Sequence, residues 1–153
     1  MKEDFRLADL WEYLVKEKCR KLGYCKELFR LCLVERDSLE GDDLTSLADI
    51  LMQKHEIIRK LGEIEAHISW ILRKLAGFRP EGGGNDERDL GISSEVANID
   101  REISAIMQEV FALEKENKKA LAKRSVELGR LARGGKAGSL RAVERQRKEV
   151  IHW

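Results

Sequence analysis

The residue types that most often carry chemistry are few in this chain, and their spacing matches no known site. The three cysteines, Cys19, Cys25 and Cys32, lie six and seven residues apart within one helical pattern. A helix holds side chains at these spacings too far apart for a disulfide, and no Cys-x-x-Cys pair occurs. We therefore predict three reduced thiols that behave as small hydrophobic side chains.

The three histidines, His55, His67 and His152, are not spaced as a metal site either. His55 and His67 are twelve residues apart, about a third of a turn out of phase on one helix. The chain lacks the two Glu-x-x-His motifs of a di-iron four-helix bundle. The glycine run Gly82–Gly84 lacks the Lys-Ser/Thr end of a phosphate-binding loop, and no pair of acidic residues stands out as catalytic. The sequence predicts no enzyme, no metal and no cofactor.

Composition points instead to long helices exposed to solvent. Of the 153 residues, 37% are charged, with 29 Lys+Arg against 28 Asp+Glu, and Pro80 is the only proline. Such a composition is typical of solvated helices and argues against a β-sandwich. No apolar run approaches the roughly 18–20 residues of a membrane helix, and the N-terminus does not resemble a secretory signal. We therefore expect a cytoplasmic location without membrane insertion.

The nearly neutral charge sum hides two oppositely charged regions. Residues 81–116 hold ten acids and three bases, a net charge of −7, whereas residues 123–153 hold nine bases and three acids, a net charge of +6. A basic tail can contact nucleic acid. Here three acids interrupt the tail, and Trp153 is its only aromatic residue, so a stacking platform is missing. We expect no nucleic-acid binding.

Apolar residues spaced three and four apart predict three long helices, over about residues 4–39, 43–76 and 93–133. The first helix carries one stripe, in which Lys18 and Arg36 fill two gaps. The apolar members of that stripe are Leu7, Trp11, Leu14, Leu22, Cys25, Phe29, Cys32 and Leu39. This pattern predicts one buried face along the helix.

The second helix carries two adjacent apolar rows. The first row is Leu44, Leu47, Leu51, Ile58, Leu61, Ile68, Leu72 and Leu75. The second row repeats every seven residues and is Ile50, Ile57, Ile64 and Ile71. Two rows make a face wider than a dimeric coiled-coil seam requires, so this helix is expected to contact more than one partner helix.

The third helix is predicted to begin at Ser93 or Ser94, either of which can cap it. Its heptad a and d positions are Val96, Ile99, Ile103, Ile106, Val110 and Leu113. Asn117 falls at the next a position. Two interpretations of Asn117 stay open: an exposed residue where the packing shifts, or an interior residue that fixes the helix register.

Breaks between the helices define the domain organisation. Gly41 suits the end of one helix and either Asp42 or Asp43 the start of the next, and so short a connection implies antiparallel neighbours. Residues 77–92 are predicted to form a flexible linker, and residues 134–153 a basic tail or short helix. The predicted fold is all-α: residues 1–133 form an antiparallel bundle of three long helices with coiled-coil-like packing, followed by a short or disordered C-terminal helix.

The order of these segments resembles a known family. An acidic, Gly-containing turn precedes the Leu-rich stretch Leu44–Ile58, the third helix leads into Leu113–Asn117, and it closes on the Gly/Lys-rich stretch Leu128–Ala137. Over roughly residues 5–143, this pattern is similar to that of the FlgN family of bacterial flagellar export chaperones. It departs from the family pattern at Ala66–Trp70, where a charged stretch is usual, and at Arg141–Val143, where an aromatic residue often follows the Gly/Lys-rich ending.

The resemblance implies a cytosolic chaperone without enzymatic activity. Such proteins hold hook-associated junction subunits unassembled and deliver them to the flagellar type III export apparatus. Family members engage clients mainly through C-terminal helical segments, which here places partner binding at Leu121, Leu128, Leu131, Leu140 and Val143. An apolar helical face of this kind can lie along a client helix.

Three alternatives to this interpretation stay open. The five partner-binding candidates can instead pack permanently in the bundle, above all Leu121. The whole chain can be a structural coiled-coil protein, such as a dimeric scaffold, and a homodimer is compatible with either function. The third alternative is a protein that binds nucleic acid through its basic tail.

Overall fold

A computed structural model describes residues 6–41, 43–78 and 87–131 of the chain. These residues form three α-helices: α1 over Leu7–Glu40, α2 over Leu44–Ala76 and α3 over Glu87–Leu131. No strand occurs among the residues described. None of the helices in this part of the chain combines the length and the apolar character needed to cross a membrane. The predicted all-α fold with three long helices is confirmed.

The turn between α1 and α2 lies where the sequence predicts it. α1 ends at Glu40, and the N–H of Gly41 donates to the carbonyl oxygen of Asp37 at 3.0 Å. Asp43 caps α2, because its two carboxylate oxygens accept from the Ser46 N–H at 3.1 Å and from the Ser46 hydroxyl at 2.6 Å. Both hydrogen bonds hold the pKa of Asp43 below its usual range, and the bond from the Ser46 hydroxyl contributes most to this shift. The sequence therefore located both the end of α1 and the start of α2.

The predicted start of α3 is wrong by six residues, since the helix begins at Glu87. Ser93 and Ser94 lie inside the helix and do not cap it. The helix includes Gly91, although a glycine inside a helix costs roughly 1 kcal/mol relative to alanine. α3 therefore includes residues 87–92, which the sequence predicts to be part of the linker.

Parts of the predicted domain organisation lie outside the described residues. Residues 79–86 of the predicted linker 77–92 are among them, and so is the whole predicted tail, residues 134–153. The prediction of a short or disordered C-terminal helix stays a prediction for that reason.

The described residues pack as two compact units, and each helix contributes to both. Unit 1 contains the described residues up to Cys25 together with Lys60–Ala105. Unit 2 contains Lys26–Arg59 together with the described residues from Ile106 onward. Each unit therefore has its own interior, built from one stretch of each helix.

Contacts inside unit 2 define the directions of its helices. Lys54 of α2 lies against Glu35 of α1, and Leu47, earlier in α2, packs with Leu39, later in α1. α1 and α2 are therefore antiparallel here, as predicted. The contacts between α1 and α3 are Cys32 with Glu114, Glu35 with Asn117 and the Leu39 carbonyl with Arg124. Residue numbers rise together along both helices, so α3 runs parallel to α1 in an up-down-up arrangement.

The interior of unit 1 is an apolar cluster ringed by aromatic residues. The cluster and the half-buried residues packed on it are Leu14, Ile64, Ile68 and Ile71, with Trp11, Tyr24, Trp70, Leu75 and Val96. Ile64 and Ile71 belong to the second row predicted for α2, and that row is confirmed as buried. In unit 2 the same row continues with Ile50 and Ile57, which are also buried.

The stripe predicted for α1 is wrong at its two gaps. Arg36 is exposed and Lys18 only half-buried, whereas the carboxylate side chains one residue earlier, Glu17 and Glu35, are buried. α1 packs against two helices in unit 2, so its buried face is wider than one stripe, and one residue turns a side chain by about 100°. Leu72, predicted in the first row of α2, is likewise 48% exposed.

The heptad pattern of α3 agrees with its burial. Ile99, Ile103 and Val110 are buried, and Val96, Ile106 and Leu113 are half-buried. Asn117 is 1% exposed. Asn117 is therefore an interior residue and not an exposed one.

Candidate functional site

Of the five residues predicted to bind a partner, Leu121 is the one whose side chain the structure describes. Leu121 is 4% exposed and packs in unit 2 with Leu39, Leu47 and Leu51. Leu128 and Leu131 lie in the final turns of α3, but their side chains are outside the description, and Leu140 and Val143 lie beyond the described residues altogether. In this structure, then, Leu121 belongs to the core of unit 2.

Three residues after Leu121, Arg124 joins α3 to the end of α1. Its guanidinium donates to the carbonyl oxygen of Leu39 at 3.1 Å and to that of Glu40 at 3.2 Å. These carbonyls are among the last of α1, which have no partner within the helix, and a cation there also interacts favourably with the helix dipole. α3 continues for seven residues beyond Arg124, to Leu131, a length of about 10 Å.

The most unusual feature of the described chain is a layer of polar side chains inside unit 2. α1 contributes Cys32 and Glu35, α2 contributes Lys54, and α3 contributes Glu114 and Asn117. The side chains of Lys54 and Glu35 are 0% exposed and that of Glu114 is 16% exposed. We call these five residues the polar layer.

Lys54 is the centre of the polar layer, because it bridges carboxylates on two other helices. Its Nζ lies 3.3 and 3.4 Å from the two carboxylate oxygens of Glu35. The same ammonium forms a salt bridge with Glu114. The prediction that α2 contacts more than one partner helix is confirmed by these two bonds. Burying an ionised group is costly unless it is paired in this way.

The amide of Asn117 ties α3 directly to α1. Its Nδ2 donates to Glu35 Oε1 at 2.8 Å and to the Cys32 carbonyl oxygen at 3.0 Å. The thiol of Cys32 in turn donates to Glu114 Oε1 at 3.1 Å. Each of the three helices therefore supplies a donor or an acceptor to each of the other two.

The chemistry available to the polar layer is limited by its burial. Desolvation raises the pKa of the Cys32 thiol far above its usual range, and the nearby Lys54 ammonium only partly opposes this shift. Because the thiolate is the reactive form, this shift disfavours nucleophilic chemistry at Cys32. Burial also raises the pKa of Cys25 in unit 1. The geometry supports the predicted role of these two thiols as interior side chains, whereas Cys19 is exposed.

Unit 1 contains a second buried carboxylate and an open cleft. Glu17 is buried and accepts from Arg20 at 2.9 Å, while His67 Nδ1 lies 3.2 Å from its other oxygen. An open cleft of about 350 Å³ is lined by Asp9, Leu10, Tyr13 and Trp70. Across the part of the chain that the structure describes, no group of three His, Cys, Asp or Glu residues is placed to hold a metal ion.

Sequence reasoning missed most of the polar layer, although a signal was present. Lys54 follows Ile50 and Leu51 and precedes Ile57, so it stands at an interior position of a regular three-and-four pattern. Glu35 stands in the same way between Cys32 and Leu39. Opposite charges at interior positions of different helices are the signal of such a layer. Of the five members, the sequence analysis placed Cys32 in the buried stripe of α1 and named Asn117 as an interior candidate.

Fold and polar layer together define the class of protein: an all-α bundle of three long helices that buries a hydrogen-bonded ion cluster. No family model, no curated protein and no solved structure matches this chain.

Proposed function

We propose that this protein is a flagellar export chaperone of the FlgN type. In the cytoplasm it binds hook-associated junction subunits, keeps them unassembled and presents them to the type III export apparatus. The proposal rests on the resemblance over roughly residues 5–143 and is compatible with the all-α architecture. It includes no catalysis and no cofactor.

One structural observation carries the choice of binding segment: α3 continues past the end of α1. Arg124 is level with the last carbonyls of α1, and seven more helical residues follow it. Those residues, about 10 Å of helix, extend beyond the level at which α1 ends. Val126, within this stretch, is 62% exposed. A client helix can approach such a projecting segment without displacing α1.

This geometry narrows the set of residues proposed to bind the client. Leu121 would have to leave its cluster with Leu39, Leu47 and Leu51 before it could contact a client. The proposed contact residues are therefore Leu128 and Leu131 at the end of α3, continued by Leu140 and Val143. Ordering of a segment on binding uses part of the interaction free energy, which keeps the complex reversible, as export requires.

The experiment that tests this function compares full-length protein with a chain that ends at Arg133. Calorimetry measures the affinity of each for a peptide from the C-terminal helix of a hook-associated subunit. A second pair compares the double substitution Leu128→Ala with Leu131→Ala against Leu72→Ala, which alters an exposed leucine of unit 1. We expect the truncation and the double substitution to weaken binding at least tenfold, with unchanged helical circular dichroism. Unchanged affinity in both would contradict the proposal.

The same samples separate the alternative functions. A stable dimer in analytical ultracentrifugation, unaffected by the peptide, would favour a structural scaffold. Binding to nucleic acid that weakens steeply with added salt would favour the basic-tail alternative. The chaperone proposal expects neither result.

A further inference from the structure

We propose that the polar layer is a register lock, which makes one axial alignment of the three helices in unit 2 far more favourable than its neighbours. Four side chains carry the lock: Glu35, Lys54, Glu114 and Asn117. This inference does not depend on the proposed chaperone function, because it concerns how the chain specifies its own packing.

The apolar part of the seam is poorly able to specify register by itself. Buried residues of α2 repeat at seven-residue intervals, as in Ile50 and Ile57. Sliding one helix by seven residues, about 10 Å, would place apolar side chains against apolar side chains again. Heptad seams of this kind are known to tolerate alternative registers unless a polar residue intervenes.

Each member of the lock has an apolar residue one heptad away. These pairs are Glu35 with Leu28, Lys54 with Leu47, Glu114 with Leu121 and Asn117 with Val110, and all four apolar residues are buried. Sliding α2 by one heptad so that Leu47 takes the place of Lys54 would set a leucine opposite Glu35 and Glu114, and sliding α3 so that Val110 takes the place of Asn117 would set a valine opposite Glu35. Buried charges and amides without partners are strongly unfavourable, so the slipped arrangement is disfavoured.

The bonds of Asn117 make the alignment of α3 with α1 specific. Its amide reaches the Glu35 carboxylate and the Cys32 backbone carbonyl at the same time, at 2.8 and 3.0 Å. The Cys32 carbonyl belongs to the backbone of α1. If α3 shifted, no side-chain rotamer change in α1 could therefore restore the hydrogen bond between Asn117 and this carbonyl. Lys54 adds the third helix, since it bonds to α1 and to α3 at once.

The test replaces the lock by leucines and measures register directly. The variant carries Glu35→Leu, Lys54→Leu, Glu114→Leu and Asn117→Leu, and the matched control is Ile57→Leu, an apolar exchange in the same seam. Spin labels at Arg36→Cys and Lys118→Cys, both exposed positions of unit 2, report the distance between α1 and α3 by double electron–electron resonance.

Labelling uses a Cys19→Ser background, because Cys19 is the exposed native thiol. Burial raises the pKa of Cys25 and Cys32, so both should react poorly with a thiol label. The background without introduced cysteines should take up no label, which is verified by mass spectrometry.

We expect one narrow distance population for the parent and for Ile57→Leu. In the four-leucine variant we expect a second population or a concentration-dependent oligomer, with a denaturation midpoint no lower than that of the parent. A single narrow population at the parent distance, in a monomer, would overturn the lock.

A second variant covers the case in which the four-leucine chain does not fold. Asn117→Leu alone keeps both salt bridges of Lys54 and removes only the amide that joins α3 to α1. It should broaden the distance distribution between the two labels. A distribution as narrow as that of the parent would then overturn the proposal.

Discussion

Glu17 in unit 1 and Glu35 in unit 2 are two buried carboxylates on one helix that are satisfied in different ways. They are eighteen residues apart, five full turns, so they lie on the same face of α1, and their exposures are 2% and 0%. Glu17 is bonded by Arg20 and His67, whose side chains are 48% and 52% exposed. Glu35 is bonded by Lys54, whose side chain is 0% exposed.

This difference between the two carboxylates shows that the two units are stabilised by different kinds of interaction. The partners of Glu17 reach inward from the surface, so water can replace either of them. The partner of Glu35 is itself buried, so its loss leaves a charge that water does not reach. Unit 1 therefore depends mainly on its apolar and aromatic cluster, whereas unit 2 depends on partners that must all be present.

Among variants that compare the two buried carboxylates, Lys54→Met is expected to change stability most. Removing the buried ammonium leaves Glu35 and Glu114 without their shared cation, which should lower the free energy of unfolding by about 3–5 kcal/mol. Urea denaturation followed by circular dichroism measures this loss. The matched control is Arg20→Met, which removes the exposed partner of Glu17 and should change stability far less. Equal losses would contradict the distinction between the two carboxylates.

A somewhat smaller loss of stability is expected for a substitution in the apolar interior of unit 1. Ile71 is 0% exposed, and its neighbour Leu72 is 48% exposed. Ile71→Ala should lower the free energy of unfolding by about 2–5 kcal/mol, because it removes buried methyl groups and leaves a cavity. Leu72→Ala should stay within about 0.5 kcal/mol of the parent. Similar values for the two variants in thermal denaturation would mean that unit 1 does not depend on this cluster.

The smallest effect concerns Gly23, which lies in α1 between Glu17 and Glu35. A Cβ added there would have no heavy atom within 4 Å, so the residue is a weak point of the helix and not a close contact. Gly23→Ala should raise the free energy of unfolding by about 0.5–1 kcal/mol. Gly41→Ala should not give the same gain in the free energy of unfolding, because the added Cβ would lie 3.3 Å from the Asp37 carbonyl oxygen. No gain at Gly23, measured by urea denaturation, would refute this explanation.

The helices were predictable because their signals are local. The apolar spacing, Gly41 and the Asp43 cap all act within a few residues, and they located the turn between α1 and α2. The start of α3 was less predictable, since Gly91 and the two serines at 93 and 94 read as breaks. In the structure α3 runs through all three of these residues.

The polar layer was less predictable, because its stability comes from partners on other helices. The spacing of apolar residues defines the direction of a buried helix face only to within about one residue. For this reason the sequence analysis placed Lys18 and Arg36 in the buried stripe of α1, where the structure has Glu17 and Glu35. The spacing within α2 puts Lys54 at an interior position, but a lysine is almost never fully buried unless it is paired, and α2 alone does not show the pairing. The burial of Lys54 is favourable only because two carboxylates from α1 and α3 meet it there.

The sequence by itself determined an all-α chain of three long helices, their order and the short turn that makes α1 and α2 antiparallel. It also supplied the resemblance on which the proposed function rests, and with it the proposal that Leu128, Leu131, Leu140 and Val143 contact a client. Only the tertiary structure decided that Leu121 is core, that Asn117 is interior and that Lys54 joins three helices. The physical reason is that the free energy of a buried polar or apolar group depends on what surrounds it, and for these residues the surroundings come from distant parts of the chain.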